Sequence, residues 1–171
     1  KCNTIIEPHI KDQWFVKMTP LAKKTLESEE HGEIKFIPDN YEKIFKYWMT
    51  NTIDWNISRQ IVWGIPIPAW FNGEKSVASK EKPEGEGWTQ DTDTFDTWFS
   101  SGQWPLIVTG YPDKSDYQSY YPTDVMETGH DLIFKWVPRM VIFGLYLSGK
   151  APFHTVYLHG LVNDANGKKM S

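Results

Sequence analysis

The chain reads as an α/β protein built on parallel strands, and three observations predict it. A strand-like run at residues 123–127 is followed by an apolar helical stretch at 132–147 and by a second run at 155–162; strand, helix and strand in that order make a βαβ unit, whose strands are parallel by default. At the junction between the first strand and the helix, Glu127-Thr128-Gly129-His130-Asp131 supplies a glycine and a carboxylate where such sheets open onto a ligand crevice. Behind the last strand a polar turn, Asn163-Asp164-Ala165-Asn166-Gly167, leads to Lys168-Lys169-Met170-Ser171, which puts mobile positive charge at a strand's carboxyl end, where α/β proteins bind phosphates.

The other elements follow in order. Residues 4–6 and 14–18 have strand composition, and 20–30 reads as a helix with Thr19 as N-cap and Pro20 in its first position. His31-Gly32 ends that helix, Ile34-Lys35-Phe36-Ile37 is a strand, and Pro38-Asp39 opens a second helix whose Tyr41, Ile44, Phe45 and Trp48 recur at helical spacing. In 58–70 the alternating Pro66 and Pro68 forbid helix and predict an extended edge segment. Gly, Lys, Glu and Ser dominate 72–90, which predicts a solvated loop serving as an insertion or mobile lid. Structure resumes at 94–99, passes through a loop ending at Tyr120, and enters the βαβ unit, where Pro138 is expected to kink the helix near Phe134.

Composition narrows the function. With 171 residues, 40% hydrophobic and 15% aromatic, the chain can bury one core. A formal charge of −4 without a basic cluster excludes a footprint for gripping a long polyanion, so any RNA would be held mainly elsewhere. The single cysteine, Cys2, cannot form an internal disulfide, which points to a reducing, cytoplasmic setting. Residues 132–147 are too short and too charged, with Lys135 and Arg139, to cross a bilayer, so no membrane partner is expected.

Among candidate site residues, Gly129 could let a ligand approach the backbone and Asp131 could accept hydrogen bonds from two ribose hydroxyls; equally, Gly129 could make a turn that Thr128 or Asp131 caps. Leu132 and Trp136, at i,i+4 spacing, could wall an apolar pocket or belong to the core. Asp91, Asp93 and Asp96 lack the glycine and distal glutamate of a calcium loop and alternate with threonine as on a solvated strand face. The five histidines have no zinc spacing; His154 and His159 flank a strand and point to opposite faces, so at most one reaches a site, His159 being the better placed beside Gly160. No nucleophile elbow or phosphate-cradling glycine loop is present.

Taken in order, several segments resemble the later half of the catalytic domain of class Ia aminoacyl-tRNA synthetases, and most closely the valyl branch. They are Ile6-Glu7-Pro8 with Gln13-Trp14-Phe15-Val16-Lys17-Met18, Asp54-Trp55-Asn56-Ile57-Ser58-Arg59-Gln60 with Trp63-Gly64-Ile65-Pro66-Ile67-Pro68, Asp96-Thr97-Trp98-Phe99-Ser100-Ser101, Pro122-Thr123-Asp124, Gly129 with Asp131, and His159-Gly160-Leu161 before Lys169. The resemblance implies the second half of a Rossmann-like nucleotide-binding domain, with 1–50 returning from an editing insertion and 51–171 forming the catalytic half that carries the 72–90 insertion. It implies that Gly129 and Asp131 hold the ribose of ATP or of an aminoacyl-adenylate, and that His159, Gly160 and Leu161 present backbone to adenine. Lys169, Met170 and Ser171 would begin a mobile loop over the phosphates, Lys169 being the catalytic cation. Trp98, Leu132 and Trp136 would line the amino-acid pocket. The aliphatic Leu132 after Asp131 favours valine, where isoleucyl enzymes carry glutamine.

By the same resemblance ATP enters with Mg²⁺ and tRNA is the acceptor. No protein-bound zinc is expected, because 72–90 lacks the cysteine pairs of some relatives. Lys135 stands where the family has an aromatic residue and Pro138 where it has a small one. The His-x-Gly-His element, the editing domain and the second lysine of the closing loop lie outside the sequence, so it is expected to be a fragment of a longer enzyme, inactive alone and prone to self-association along an unpaired sheet edge. An apolar slot cannot strongly reject threonine, and valyl enzymes are the standing example of that limit. Two rival readings are an isoleucyl enzyme and a non-catalytic module whose tryptophans stack on sugars or bases.

Overall fold

Three parallel strands carry the fold, and the middle one comes last in the sequence. The structure, a computed structural model, describes residues 5, 7 and 10–170. Strand β2 (Lys35–Ile37) pairs with β10 (Phe153–His159), which pairs on its other side with β9 (Thr123–Gly129), both in parallel register. The βαβ expectation therefore holds, with α6 (Val137–Leu147) as the crossover. Alternation along β10 decides which face is covered: Val156 and Leu158 are buried, whereas Tyr157 is exposed opposite Ile37, itself exposed.

On the covered face α1 (Met18–Glu30), α2 (Asn40–Thr50) and α6 close one core around Met18, Phe45, Met49, Val137, Met140 and Phe153. Each fully buried side chain of this kind contributes about 1.5–3 kcal/mol. Lys46 ties α2 to α1, lying 3.0 Å from Glu29 and 2.8 Å from Glu42. Burial raises the Glu29 pKa, and the ammonium of Lys46 opposes that rise.

Short antiparallel pairs decorate this half. β1 (Phe15–Val16) pairs with β3 (Trp55–Asn56), and β4 (Ser58–Arg59) with β8 (Thr94–Phe95). Residues 72–90 are mostly exposed and 79–88 is irregular, as expected of a solvated loop, but the two ends of the stretch are strands. β5 (Ala69–Asn72) turns through Gly73, at φ 60°, into β6 (Lys75–Ala78), and β7 (Thr89–Gln90) completes a three-stranded antiparallel sheet. The 105–120 stretch likewise contains α4 (Trp104–Thr109), ended by left-handed Gly110, and α5 (Ser115–Tyr120), after the single-turn α3 (Thr97–Ser101).

Three boundary expectations are corrected. Helix α1 starts at Met18, not after Thr19, because the Met18 N–H donates 2.9 Å to Oδ1 of Asp54; an acceptor from 36 positions away replaces a local cap. Pro138 does not kink a long helix. The chain passes from β9 through a 3₁₀ turn at His130–Leu132, and α6 begins only at Val137, so the proline occupies the first turn, where its missing N–H costs nothing. Strand β10 ends at His159 rather than at residue 162. The strand expected at 4–6 lies largely outside the described residues, as do Cys2, His9 and Ser171. No helix among the described residues is long and apolar enough to cross a membrane.

Candidate active site

Parallel pairing of β9 with β10 brings their carboxyl ends together, with His159 in register with Gly129. Gly129 is extended, at φ −62° and ψ 141°, and stands at the N-cap of the 3₁₀ turn, which has no side-chain cap from Thr128 or Asp131. The space beside it is tight, and two side-chain ends would have to move to admit a larger residue. A Cβ there would lie 2.9 Å from Oδ1 of Asp131 and 2.9 Å from the Leu161 side chain, with the His159 ring at 3.8 Å. Gly129, Asp131, His159 and Leu161 are thus brought together at one point. Gly160 is open, with nothing within 4 Å of the place a Cβ would take.

Lys169 reaches the same corner. Asp164 organises the terminal turn by accepting the N–H groups of Asn166 and Lys168 on Oδ1, at 2.9 and 2.8 Å, and Met170 N–H donates to the Val162 carbonyl. That hairpin delivers Nζ of Lys169 to within 2.6 Å of Oδ2 of Asp131. The hydrogen bond and charge of Lys169 hold the Asp131 carboxyl below its ordinary value, against a smaller opposing effect of burial. His159 faces Glu127 through Nε2 at 3.0 Å and the Gly160 carbonyl through Nδ1, while its own carbonyl contacts Nδ1 of His130 at 3.2 Å. His154, at the other end of β10, is far from this corner and lines a small recess with Glu33 and Lys150.

The residues expected to line an amino-acid pocket, Trp98, Leu132 and Trp136, stand on the neighbouring segments. Leu132 closes the 3₁₀ turn, and its carbonyl accepts the Trp136 N–H at 3.0 Å, a backbone link between the two residues. The Trp136 indole donates 2.9 Å to the carbonyl of Ser101, the last residue of α3. Trp98 lies in that same turn, and the structure joins it to Trp136 through α3 rather than by direct ring contact.

Four residues of this region, Trp55, Arg59, Asp96 and Arg139, were not singled out as site residues from the sequence. Asp96 was grouped with Asp91 and Asp93 on a solvated face, yet Asp93 and Asp96 are both buried. Burial opposes ionisation of Asp93, but hydrogen bonds from Lys11 and Gln60 outweigh it and hold the carboxyl low. Asp96 caps α3 by accepting the Trp98 N–H, and binds Trp55 and Arg59, while Arg139 lies over the Trp55 ring. The available signal was Asp96-Thr97-Trp98, an N-cap residue ahead of an apolar turn.

A parallel sheet whose strand ends gather a glycine, a carboxylate and a loop lysine is the crevice architecture of the Rossmann-like α/β class. The family model for class I tRNA synthetases (I, L, M and V) matches residues 3–86 and 74–171, and the chain belongs to that family. Along its whole length it is 48% identical to the valine–tRNA ligase of Anoxybacillus flavithermus, 49% to that of Solibacter usitatus and 46% to that of Bacillus subtilis. It spans about a fifth of those relatives, 20%, 21% and 20% respectively. The fold is also that of methionyl-tRNA synthetase of Mycobacterium tuberculosis in complex with methionyl-adenylate, with TM-score 0.68 and 20% identity over 93% of this chain and 28% of that one. A leucyl enzyme from Agrobacterium radiobacter K84, in a ternary complex with tRNA, gives TM-score 0.60 and 23% identity over 70% of this chain and 21% of its own.

Proposed function

We propose that this chain forms the carboxyl-side half of the catalytic domain of a valine–tRNA ligase, which activates valine as valyl-adenylate and passes it to tRNA. The observation that carries the reading is the meeting of Gly129, Asp131, His159, Leu161 and Lys169 at the exit of two adjacent parallel strands. In the first step a valine carboxylate oxygen attacks the α-phosphorus of ATP and pyrophosphate leaves; in the second a hydroxyl at the tRNA 3′ end attacks the activated carbonyl and AMP leaves. Such chemistry needs positioning and charge stabilisation rather than a protein nucleophile.

In this reading Asp131 accepts the ribose hydroxyls, Gly129 lets the sugar approach, and backbone at His159, Gly160 and Leu161 meets adenine. Lys169, with Met170 and Ser171, brings positive charge to the phosphates of ATP, which arrives as its magnesium complex. Trp98, Leu132 and Trp136 line the valine slot. The Lys169–Asp131 pair must open as nucleotide enters, since the ribose needs the carboxylate and the phosphates need the ammonium. The acidic net charge supports tRNA contacts made mainly through other domains, and the single cysteine supports a cytoplasmic setting.

ATP–pyrophosphate exchange by the whole protein tests this function: valine should support exchange above isoleucine and methionine, and a preference for isoleucine removes the valyl assignment. The 171-residue chain alone is expected to be inactive and, because Ile37, Val125 and Tyr157 lie exposed on the sheet, to self-associate. A monodisperse monomer in light scattering overturns that second expectation.

A further inference from the structure

A chain of contacts outside the strand-exit corner links the elements that carry the two indoles. Asp96, buried at the start of α3, accepts the Trp98 N–H on Oδ1 at 3.4 Å. Its Oδ2 accepts the Trp55 indole N–H at 2.9 Å and faces the Arg59 guanidinium at 3.1 Å. The face of Trp55 is covered by Arg139, whose Cζ stands 4.4 Å from the ring centroid. Arg139 in turn donates through one terminal nitrogen to the carbonyls of Phe134 and Lys135, the two residues that lead into Trp136. The Trp136 indole closes the loop on Ser101, at the far end of α3.

We propose that Asp96, Trp55 and Arg139 are positioning residues that set the width of the slot between Trp98 and Trp136, and thereby which aliphatic amino acid it accepts. The proposal rests on the valyl reading of that slot. Its physical basis is that Trp55 is a rigid spacer whose edge is fixed by Asp96 and whose face is fixed by Arg139. Any shift of the entry to α6 relative to α3 must tilt that ring or break a bond to a buried carboxylate. A planar guanidinium lies flat on the indole while its N–H groups reach two carbonyls, whereas an ammonium has no plane to stack and so holds the ring less firmly.

The test is pyrophosphate exchange by the whole protein and its Trp55→Phe, Arg139→Lys and Asp96→Asn variants, with thermal unfolding run on each. Trp55→Phe is the most conservative, since it keeps an aromatic ring under Arg139 while removing the indole N–H and one of the two fused rings. Displacement of a pocket wall predicts a KM for valine raised about tenfold in Arg139→Lys and Asp96→Asn and about threefold in Trp55→Phe. The preference for valine over isoleucine should fall in parallel, while the KM for ATP stays within about twofold because the ribose corner is untouched. Valine and ATP constants that rise together, or an unchanged valine-to-isoleucine ratio in variants that fold, overturn the positioning role and leave the valyl reading standing. If Asp96→Asn does not fold, the other two variants decide. If the unaltered protein prefers isoleucine, the valyl reading falls instead, and the same ratio, inverted, judges the three residues.

Discussion

At the strand-exit corner, Lys169 and Asp131 meet with side chains 53% and 31% exposed; at the indole wall, Asp96 is 8% exposed and shared among three donors. The two regions meet in sequence only at Asp131 and Leu132 and are held by opposite means. An exposed ion pair is worth at most about 1 kcal/mol and is screened by salt, so the corner can be rearranged cheaply by an incoming ligand. A buried carboxylate that loses a partner keeps its desolvation cost, so the wall resists rearrangement. In the proposed reading, the part that would yield to nucleotide is soft and the part that would measure a side chain is stiff.

The largest effect that could break this contrast is on stability. Trp136→Ala removes a half-buried indole and its bond to Ser101 and should lower unfolding free energy by about 3 kcal/mol, whereas Lys169→Ala should cost less than about 0.5 kcal/mol in urea denaturation. Comparable losses would put the corner and the wall on the same footing. A smaller effect sharpens the contrast at Gly129. Its φ of −62° suits any residue, so Gly129→Ala should change stability by under about 0.5 kcal/mol. Its methyl would nevertheless push on Asp131 and Leu161, and affinity of the whole protein for a valyl-adenylate analogue should fall about tenfold by calorimetry.

The smallest effect is electrostatic. Because Lys169 depresses the Asp131 pKa in the folded chain, the pair stabilises above the unfolded value of 3.8 and this contribution disappears as pH falls through the lower folded value. Lys169→Met should therefore move the Asp131 titration midpoint, followed by carboxyl NMR shifts, upward toward 3.8. A midpoint that stays put would mean the pair is not formed in solution.

The corner was legible in the sequence because its determinants are local: a strand, a glycine, a carboxylate two residues on, and a lysine behind a polar turn. The wall was not, because Asp96 takes its partners from Trp55 and Arg59, 41 and 37 positions away, and no local pattern reveals that a carboxylate amid threonines is buried. For the same reason the true cap of α1, Asp54, went unseen. The β5–β6 hairpin is a different failure. Gly73-Glu74 is a Gly-first two-residue hairpin turn, but the charged, glycine-rich composition after it argues for a loop, and the pairing of Trp70 with Val77 prevails.

The order of the strands bears on how the chain is made. Strand β10 lies between β2 and β9 yet is synthesised after both, with Lys35 separated from its partner Thr155 by 120 positions. Within this chain β2 and β9 share no hydrogen bonds until β10 fills the place between them, so Phe36 on β2 and the apolar stripe of α6 gain their cover from a strand that is translated last. Pairing over so long a separation predicts slow closure of the sheet, to be read as late amide protection of β2 and β9 in pulse-labelled hydrogen exchange.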